Sequence, residues 1–195
     1  MYKKLNITEN HLKILGLFTN GYDKEYYIRE VSKLLKISPR TAQLILEDLE
    51  KKTILESELK GKIRIYRIKK SEIMKEYFVL TEQYKKICFL QLNDLVKEII
   101  FKSLNFVDGI VFVFGSYVKG ISKKDSDIDL FVVGDCDKKE INKISKIYGI
   151  DVNVKNYPLD VFKKELRKDI LIKEVLDNHV VLKNVEEFID IIENG

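Results

Sequence analysis

The sequence predicts an α+β protein of two modules, an N-terminal group of three helices closed by a β-hairpin and a C-terminal α/β module. Charge supports this division: residues 1–70 carry 16 Lys and Arg against nine Asp and Glu, a net charge of +7, whereas residues 71–195 have a net charge of −3. The order of patterns supports it too, because helical periodicity dominates the first part and strand and helix patterns alternate after Gly109. A chain of 195 residues is long enough for two small domains.

The helices of the first module are predicted from apolar spacing and from capping residues. Residues 8–19 place apolar side chains at near-helical spacing, and Asn20-Gly21 ends the pattern. A short second helix covers about residues 27–35. Ser38 and Pro39 then supply the cap and first position of a third helix, which ends near Lys52.

A β-hairpin follows the third helix. Residues 54–59 and 62–68 are strand-like runs, the second alternates strictly, and Lys60-Gly61 forms the turn between them. Three short helices closed by a basic hairpin are typical of a winged helix-turn-helix, in which the third helix enters the DNA major groove and the wing lies over the backbone. We therefore expect a DNA-binding set of base-reading and phosphate-binding side chains: Arg40, Thr41, Gln43, Lys60, Lys62 and Arg64.

Acidic residues on the third helix favour an alternative for this module. Glu47, Asp48 and Glu50 lie on the predicted recognition helix, and carboxylates near DNA phosphates weaken binding. A winged helix used for protein contact or dimerisation is therefore the second interpretation.

Residues 71–105 contain neither Gly nor Pro and carry an apolar stripe, which predicts one long connecting helix, broken at most once. Its aromatic positions, Tyr77, Phe78, Tyr84 and Phe89, serve either internal packing or a homodimer contact.

The C-terminal module, residues 106–195, is predicted as a small α/β domain. Strands are expected at 110–114, 128–133 and 150–154, with an edge strand at 180–182. Helices are expected at 138–147, 159–177 and 185–192.

A turn that suits phosphate follows the first of these strands. Gly115-Ser116 offers free backbone N–H groups and a hydroxyl, and Lys119 lies about one helical turn further on. These three residues are the candidate binding site for a nucleotide.

Carboxylates follow on the next two strands. Asp127 and Asp129 stand two residues apart, so that the period of a strand places both on one face, while Asp125 is expected in a loop. Asp151 opens the next strand on the same face as Asn153. Carboxylate oxygens suit Mg²⁺, and three acids beside a phosphate-binding turn predict a two-metal site for nucleotidyl or phosphoryl transfer.

The spacing of this motif resembles the signature of the DNA polymerase β-like nucleotidyltransferases, in which Gly-Ser is followed after ten residues by Asp-x-Asp. The short length is most similar to the minimal nucleotidyltransferases of bacteria and archaea, over about residues 95–195. The resemblance implies that Asp127 and Asp129 hold Mg²⁺ and that Gly115 and Ser116 hold a nucleoside triphosphate. Lys119 falls where relatives often carry arginine, so the resemblance carries a nucleotide-binding role to it less directly. The resemblance also implies a third metal-binding and catalytic carboxylate at Asp151.

The expected activity is Mg²⁺-dependent transfer of a nucleoside monophosphate to a hydroxyl acceptor on protein or RNA. Minimal relatives act as antitoxins that modify a toxin, so a protein toxin partner and DNA-binding autoregulation are expected. The alternative is a transcriptional regulator whose C-terminal domain binds nucleotide or a partner without turnover.

The composition excludes several other classes. No run of 18 apolar residues could cross a membrane, and residues 1–6 lack the apolar core of a signal peptide. Two cysteines, Cys88 and Cys136, are too few for a disulfide framework. We expect a cytoplasmic protein with no membrane partner.

Overall fold

The computed structural model describes residues 5–92, 94–123 and 126–194. The chain divides into two compact units, Met1–Thr81 and Glu82–Gly195. No helix in these described ranges is both long and apolar enough to cross a membrane.

The N-terminal unit has the predicted winged helix-turn-helix architecture. Its elements in chain order are α1 (Glu9–Thr19), β1 (Tyr26–Tyr27), α2 (Ile28–Leu35), α3 (Pro39–Lys51), β2 (Leu55–Lys60) and β3 (Ile63–Ile68). Strands β2 and β3 form the antiparallel hairpin, and β1, which the sequence did not predict, adds to the free edge of β3.

The helices begin where their capping residues predict. Ser38 Oγ accepts a hydrogen bond of 2.9 Å from the backbone N–H of Thr41, and Pro39 occupies the first turn of α3. Thr8 caps α1, where the His11 ring nitrogen accepts from the Thr8 backbone N–H at 3.2 Å. Both helices bury one face, and Tyr66 of the wing is fully buried as well.

The predicted connecting helix is two helices, α4 (Glu72–Leu90) and α5 (Asp94–Ser103), and the division into compact units falls within α4. A short 3₁₀ turn (Leu104–Phe106) follows α5. The break has a packing reason, because α5 buries Val96, Ile99 and Ile100 in the core of the C-terminal unit.

The C-terminal unit is built on a four-stranded sheet. Its strands are β4 (Val107–Phe114), β5 (Ile128–Cys136), β6 (Val152–Tyr157) and β7 (Val180–Lys183), in the spatial order β6-β5-β4-β7. Strand β4 is antiparallel to β5 and β7, and β5 is parallel to β6. The parallel strands β5 and β6 are joined by α6 (Lys138–Tyr148), because a parallel pair needs a long crossover connection, which is usually a helix.

Side chains from both faces of this sheet are buried under helices. Aliphatic residues of β4, β5 and β6 pack with α5 and α6 in one cluster. On the other face Phe112 lies 4.8 Å from Phe188 and 6.3 Å from Phe162, measured between ring centres. Those two rings belong to α9 (Val185–Asn194) and α7 (Leu159–Glu165).

The predicted helix at 159–177 is also interrupted, because it consists of α7 and α8 (Ile170–Asp177). Asp169 caps the N-terminus of α8, since its carboxylate accepts a 2.9 Å hydrogen bond from the backbone N–H of Ile172.

Candidate active site

The sheet register brings the turn after β4 and the ends of two other strands to one place. Phe114, the last residue of β4, pairs with Asp129 of β5, and Asp129 is in register with Asn153 of the parallel strand β6. Asp127 directly precedes β5. Gly115, the two aspartates and Asn153 therefore meet at one edge of the sheet.

Gly115 has a backbone conformation and a neighbour that both disfavour a side chain. Its φ is +76°, in the left-handed region, and a Cβ built on it would lie 2.3 Å from Oδ2 of Asp129. The chain therefore turns directly against the carboxylate of the predicted metal ligand.

The segment after Gly115 continues as consecutive turns rather than as a helix. The Lys119 N–H donates to the Gly115 carbonyl at 3.1 Å, and the Ile121 N–H donates to the Ser116 carbonyl at 3.1 Å. The Tyr117 hydroxyl ties this loop to the segment before Asp127, since it donates to the Ser126 carbonyl at 3.1 Å. The loop is thus fixed at both ends beside the aspartates.

The ammonium group of Lys119 lies 3.4 Å from Oε1 of Glu174 on α8. Both side chains are exposed, so that this pair is weak and an anionic ligand can compete for the lysine.

Asn153 links the two carboxylates. Its Nδ2 donates to Oδ2 of Asp127 at 3.1 Å and to Oδ1 of Asp129 at 3.5 Å. Burial raises the pKa of Asp129 above its ordinary value, and the charges of Asp127 and Glu174 add to the rise. The hydrogen bond from Asn153 opposes it.

Asp151, the predicted third carboxylate, does not join this group. It precedes β6, and its Oδ1 accepts a 3.2 Å hydrogen bond from the Ser145 hydroxyl on α6. Within the described ranges, no three or more His, Cys, Asp or Glu side chains are grouped so that they could hold a metal ion. Asp125 lies outside the described residues.

Asn153 contacts both aspartates, which the sequence did not predict, since it placed Asn153 only on the same face as Asp151. No signal in the sequence identifies this contact, because it depends on the register that places Asn153 of β6 beside Asp129 of β5.

The oxygen donors of Asp127 and Asp129 fit one hard divalent cation. Mg²⁺ is commonly held by one or two carboxylates together with substrate phosphates, and this site offers two carboxylates beside a turn with backbone N–H groups. The donor set is therefore suited to a metal ion that arrives with a nucleotide.

Comparison with protein families identifies this part of the chain. Residues 92–188 match the family model of the nucleotidyltransferase domain. Residues 92–188 are a nucleotidyltransferase domain. The family that the Gly-Ser and Asp-x-Asp motif resembles is thereby confirmed, and the described site residues lie inside the matched range. A comparison with curated proteins gives no match.

Outside the nucleotidyltransferase domain, the predicted base-reading residues of α3 bond to one another. Arg40 donates to the Gln43 side chain at 3.3 Å, and Gln43 donates to Glu47 at 2.8 Å. Thr41 lies with the Ser38 cap, where the two hydroxyls are 2.8 Å apart. The start of α3 therefore presents a polar surface on which Gln43 links the positive charge of Arg40 to the negative charge of Glu47.

The wing cations differ in their partners. Lys60 lies 2.7 Å from Glu25 and 3.2 Å from Glu58, and Arg64 lies 3.6 Å from Glu50. Lys62 forms no ion pair within the described part of the chain. Of the three predicted phosphate contacts, Lys62 alone has no carboxylate within ion-pair distance among the residues that the structure describes.

A groove of about 540 Å³ in the N-terminal unit brings Lys62 together with a cation that was not predicted. The start of α2 and the wing line it, with these side chains: Tyr27, Ile28, Arg29, Lys62, Ile63 and Arg64. Arg29 is exposed and, like Lys62, has no ion pair among the residues that the structure describes. The groove is thus a basic surface of which the sequence predicted Lys62 and Arg64 but not Arg29.

Solved structures that are similar to part of the chain include the three that follow. The protein AF1382 of Archaeoglobus fulgidus is 23% identical, with a TM-score of 0.36, covering 46% of this chain and 94% of its own. A homodimeric winged helix-turn-helix DNA-binding domain of Mycobacterium bovis is 20% identical, with a TM-score of 0.33 and coverages of 45% and 74%. MepR, a transcription regulator of a Staphylococcus aureus efflux pump, is 16% identical, with a TM-score of 0.36 and coverages of 51% and 76%. Likeness at this level does not decide what this chain binds.

Proposed function

We propose that the C-terminal unit binds a nucleoside triphosphate with Mg²⁺ and transfers its nucleoside monophosphate to a hydroxyl group on protein or RNA. The observation that supports this most strongly is the meeting of the Gly115 turn with Asp127 and Asp129 at one sheet edge, inside a nucleotidyltransferase domain.

The residues at this edge have complementary tasks. Asp127 and Asp129 would hold the cation, and the Ser116 N–H and hydroxyl, with Lys119, would take up phosphate oxygens. Mg²⁺, when bound, neutralises the charge on those oxygens. The acceptor oxygen bonds to the α-phosphorus as the bond to the β-phosphate oxygen breaks, so that pyrophosphate leaves and the acceptor proton passes to solvent.

The physiological role that we infer is that of an antitoxin. This rests on the resemblance to minimal nucleotidyltransferases and on the winged helix-turn-helix in the same chain. The acceptor is then a hydroxyl of a partner toxin or of RNA, and the winged helix gives autoregulation by binding upstream DNA.

Incubation of the full chain with each α-³²P-labelled nucleoside triphosphate, Mg²⁺ and candidate acceptors tests the transferase. The acceptors are total RNA and the product of the neighbouring gene. We expect label on one acceptor class, chelation to abolish it, and Asp127→Ala with Asp129→Ala to lower it at least about a hundredfold, because the cation is lost. Labelling that survives in the double variant would refute the assignment.

A second function, DNA-binding regulation without turnover, is favoured by two observations. The acids at the sheet edge number two rather than three within the described residues, and the N-terminal unit carries a basic groove. This function predicts salt-sensitive, sequence-selective binding of the upstream DNA, with a homodimer on a symmetric site. Equal affinity for upstream and random DNA would exclude the specific form of it.

A further inference from the structure

The amide of Asn153 lies where a cation would be expected, between two carboxylates. Its Nδ2 is 3.1 Å from Asp127 and 3.5 Å from Asp129, and strand register holds it opposite Asp129. The NH₂ group of an amide only donates hydrogen bonds, so that it compensates the two negative charges without adding one. The aspartates are thus held side by side by a neutral group.

Replacing this amide by a carboxylate would change the charge of the site and little else, because Asn and Asp have nearly the same shape. A third acid would give the site a formal charge of −3 instead of −2, and the number of charged ligands sets divalent affinity at an oxygen site. Among the described residues, the site offers two carboxylates, which is charge for one ion, and the remaining ligands must come from phosphate or water.

We propose that the Asn153 amide competes with the cation: it takes the cation's place between the two aspartates in the metal-free protein and, because it carries no charge, restricts the site to one divalent ion. The ion replaces the amide NH₂ between the carboxylates, and the exposed Asn153 side chain rotates away. This inference rests on the proposed function, since it takes the aspartate pair to be the metal site.

Titration of the chelator-treated full chain with Mn²⁺ measures both consequences, with the EPR signal of free Mn²⁺ giving affinity and the number of bound ions. The wild-type chain should bind one ion at this site. Asn153→Asp should bind two, the first about ten- to a hundredfold more tightly. Asn153→Ala should bind one ion a few-fold more tightly than the wild type, because no amide has to be displaced.

Asp151→Asn is the matched control, as it makes the opposite charge change two residues earlier. Its carboxylate is turned to Ser145, so the variant should bind Mn²⁺ like the wild type. Thermal unfolding supplies a second readout: in chelator Asn153→Asp should melt lowest and gain most from added Mn²⁺, because three carboxylates repel one another until an ion is bound.

The outcomes separate this inference from the proposed function. If wild-type Mn²⁺ binding is absent, or persists in Asp127→Ala with Asp129→Ala, the free protein holds no ion at this pair and the role of Asn153 is refuted, while the labelling assay decides the transferase separately. If the wild type binds through the pair but Asn153→Asp gains neither affinity nor an ion, only the role of Asn153 is refuted. Weaker Mn²⁺ binding by Asn153→Ala would also refute it, because the amide would then be a metal ligand rather than a competitor.

Discussion

Gly115 offers the sharpest test of the candidate site, because Gly115→Ala places one methyl group against a carboxylate. The added Cβ would lie 2.3 Å from Oδ2 and 3.2 Å from Cγ of Asp129. Carbon and oxygen atoms cannot approach so closely, and the short Asp129 side chain must rotate to make room. That rotation moves one of the two proposed metal ligands.

The cost of the substitution has two parts. An L-residue at φ +76° pays about 1–2 kcal/mol for the left-handed conformation. The contact with Asp129 adds less to stability than to function, because a rotated side chain relieves the clash while it carries the carboxylate away from Asp127. We therefore expect Tm to fall by about 2–8 °C and Mn²⁺ affinity to fall about ten- to a hundredfold.

Gly120→Ala separates these two parts. Gly120 lies in the same loop at φ +68°, but a Cβ built there has no atom within 4 Å among the described residues. It pays the same backbone cost without touching Asp129. The two variants should lose similar stability, and only Gly115→Ala should lose the ion.

The assay is thermal unfolding followed by circular dichroism, paired with the Mn²⁺ titration on the same preparations. The reasoning fails if Gly115→Ala binds Mn²⁺ as tightly as the wild type. It fails equally if Gly120→Ala loses as much affinity, since general loop damage would then explain both.

Two further predictions concern charge elsewhere in the chain. Lys62→Ala should lower the salt dependence of DNA binding by about one phosphate contact. Lys60→Ala should lower it by less, because Lys60 is already paired with Glu25. Anisotropy titrations at several salt concentrations measure this dependence, and equal slopes for the two variants would contradict the prediction. Burial lowers the pKa of His179 below 6.5, so the unfolded chain binds the proton more readily and stability should fall as pH drops below that value. Urea unfolding at about pH 7.5 and about pH 5.5 should show a smaller fall in stability for His179→Gln than for the wild type, and identical falls would contradict the role of His179.

The sequence predicted the order and type of most elements, because capping residues and apolar period act locally. Ser38 and Pro39 begin α3 where expected. One break was allowed within residues 71–105 but not placed, and the break after α7 was missed, since apolar spacing continues on both sides of each break. Asp169 was an available signal for the second break, because it caps α8.

The site was predicted in part because alternation along a strand holds only within the strand. Asp129 lies inside β5, and its face was predicted correctly. Asp127 and Asp151 each precede the first strand residue, where tertiary contacts decide the side-chain direction. The Asn153 amide draws Asp127 to the site, and the Ser145 hydroxyl draws Asp151 away from it. No sequence pattern encodes either contact.

The wing shows why net charge could not locate a DNA-binding surface. The count of +7 treats every cation of residues 1–70 alike, yet Lys60 and Arg64 face carboxylates within 4 Å. A phosphate must compete with those acids, and repulsion from them offsets part of what the cation contributes. Arg29 and Lys62 meet no such competition within the described residues and share one groove. If this unit binds DNA, the DNA backbone therefore lies along that groove. The decrease in salt dependence of the Lys62→Ala variant would then measure one phosphate contact, which the net charge could not assign to a residue.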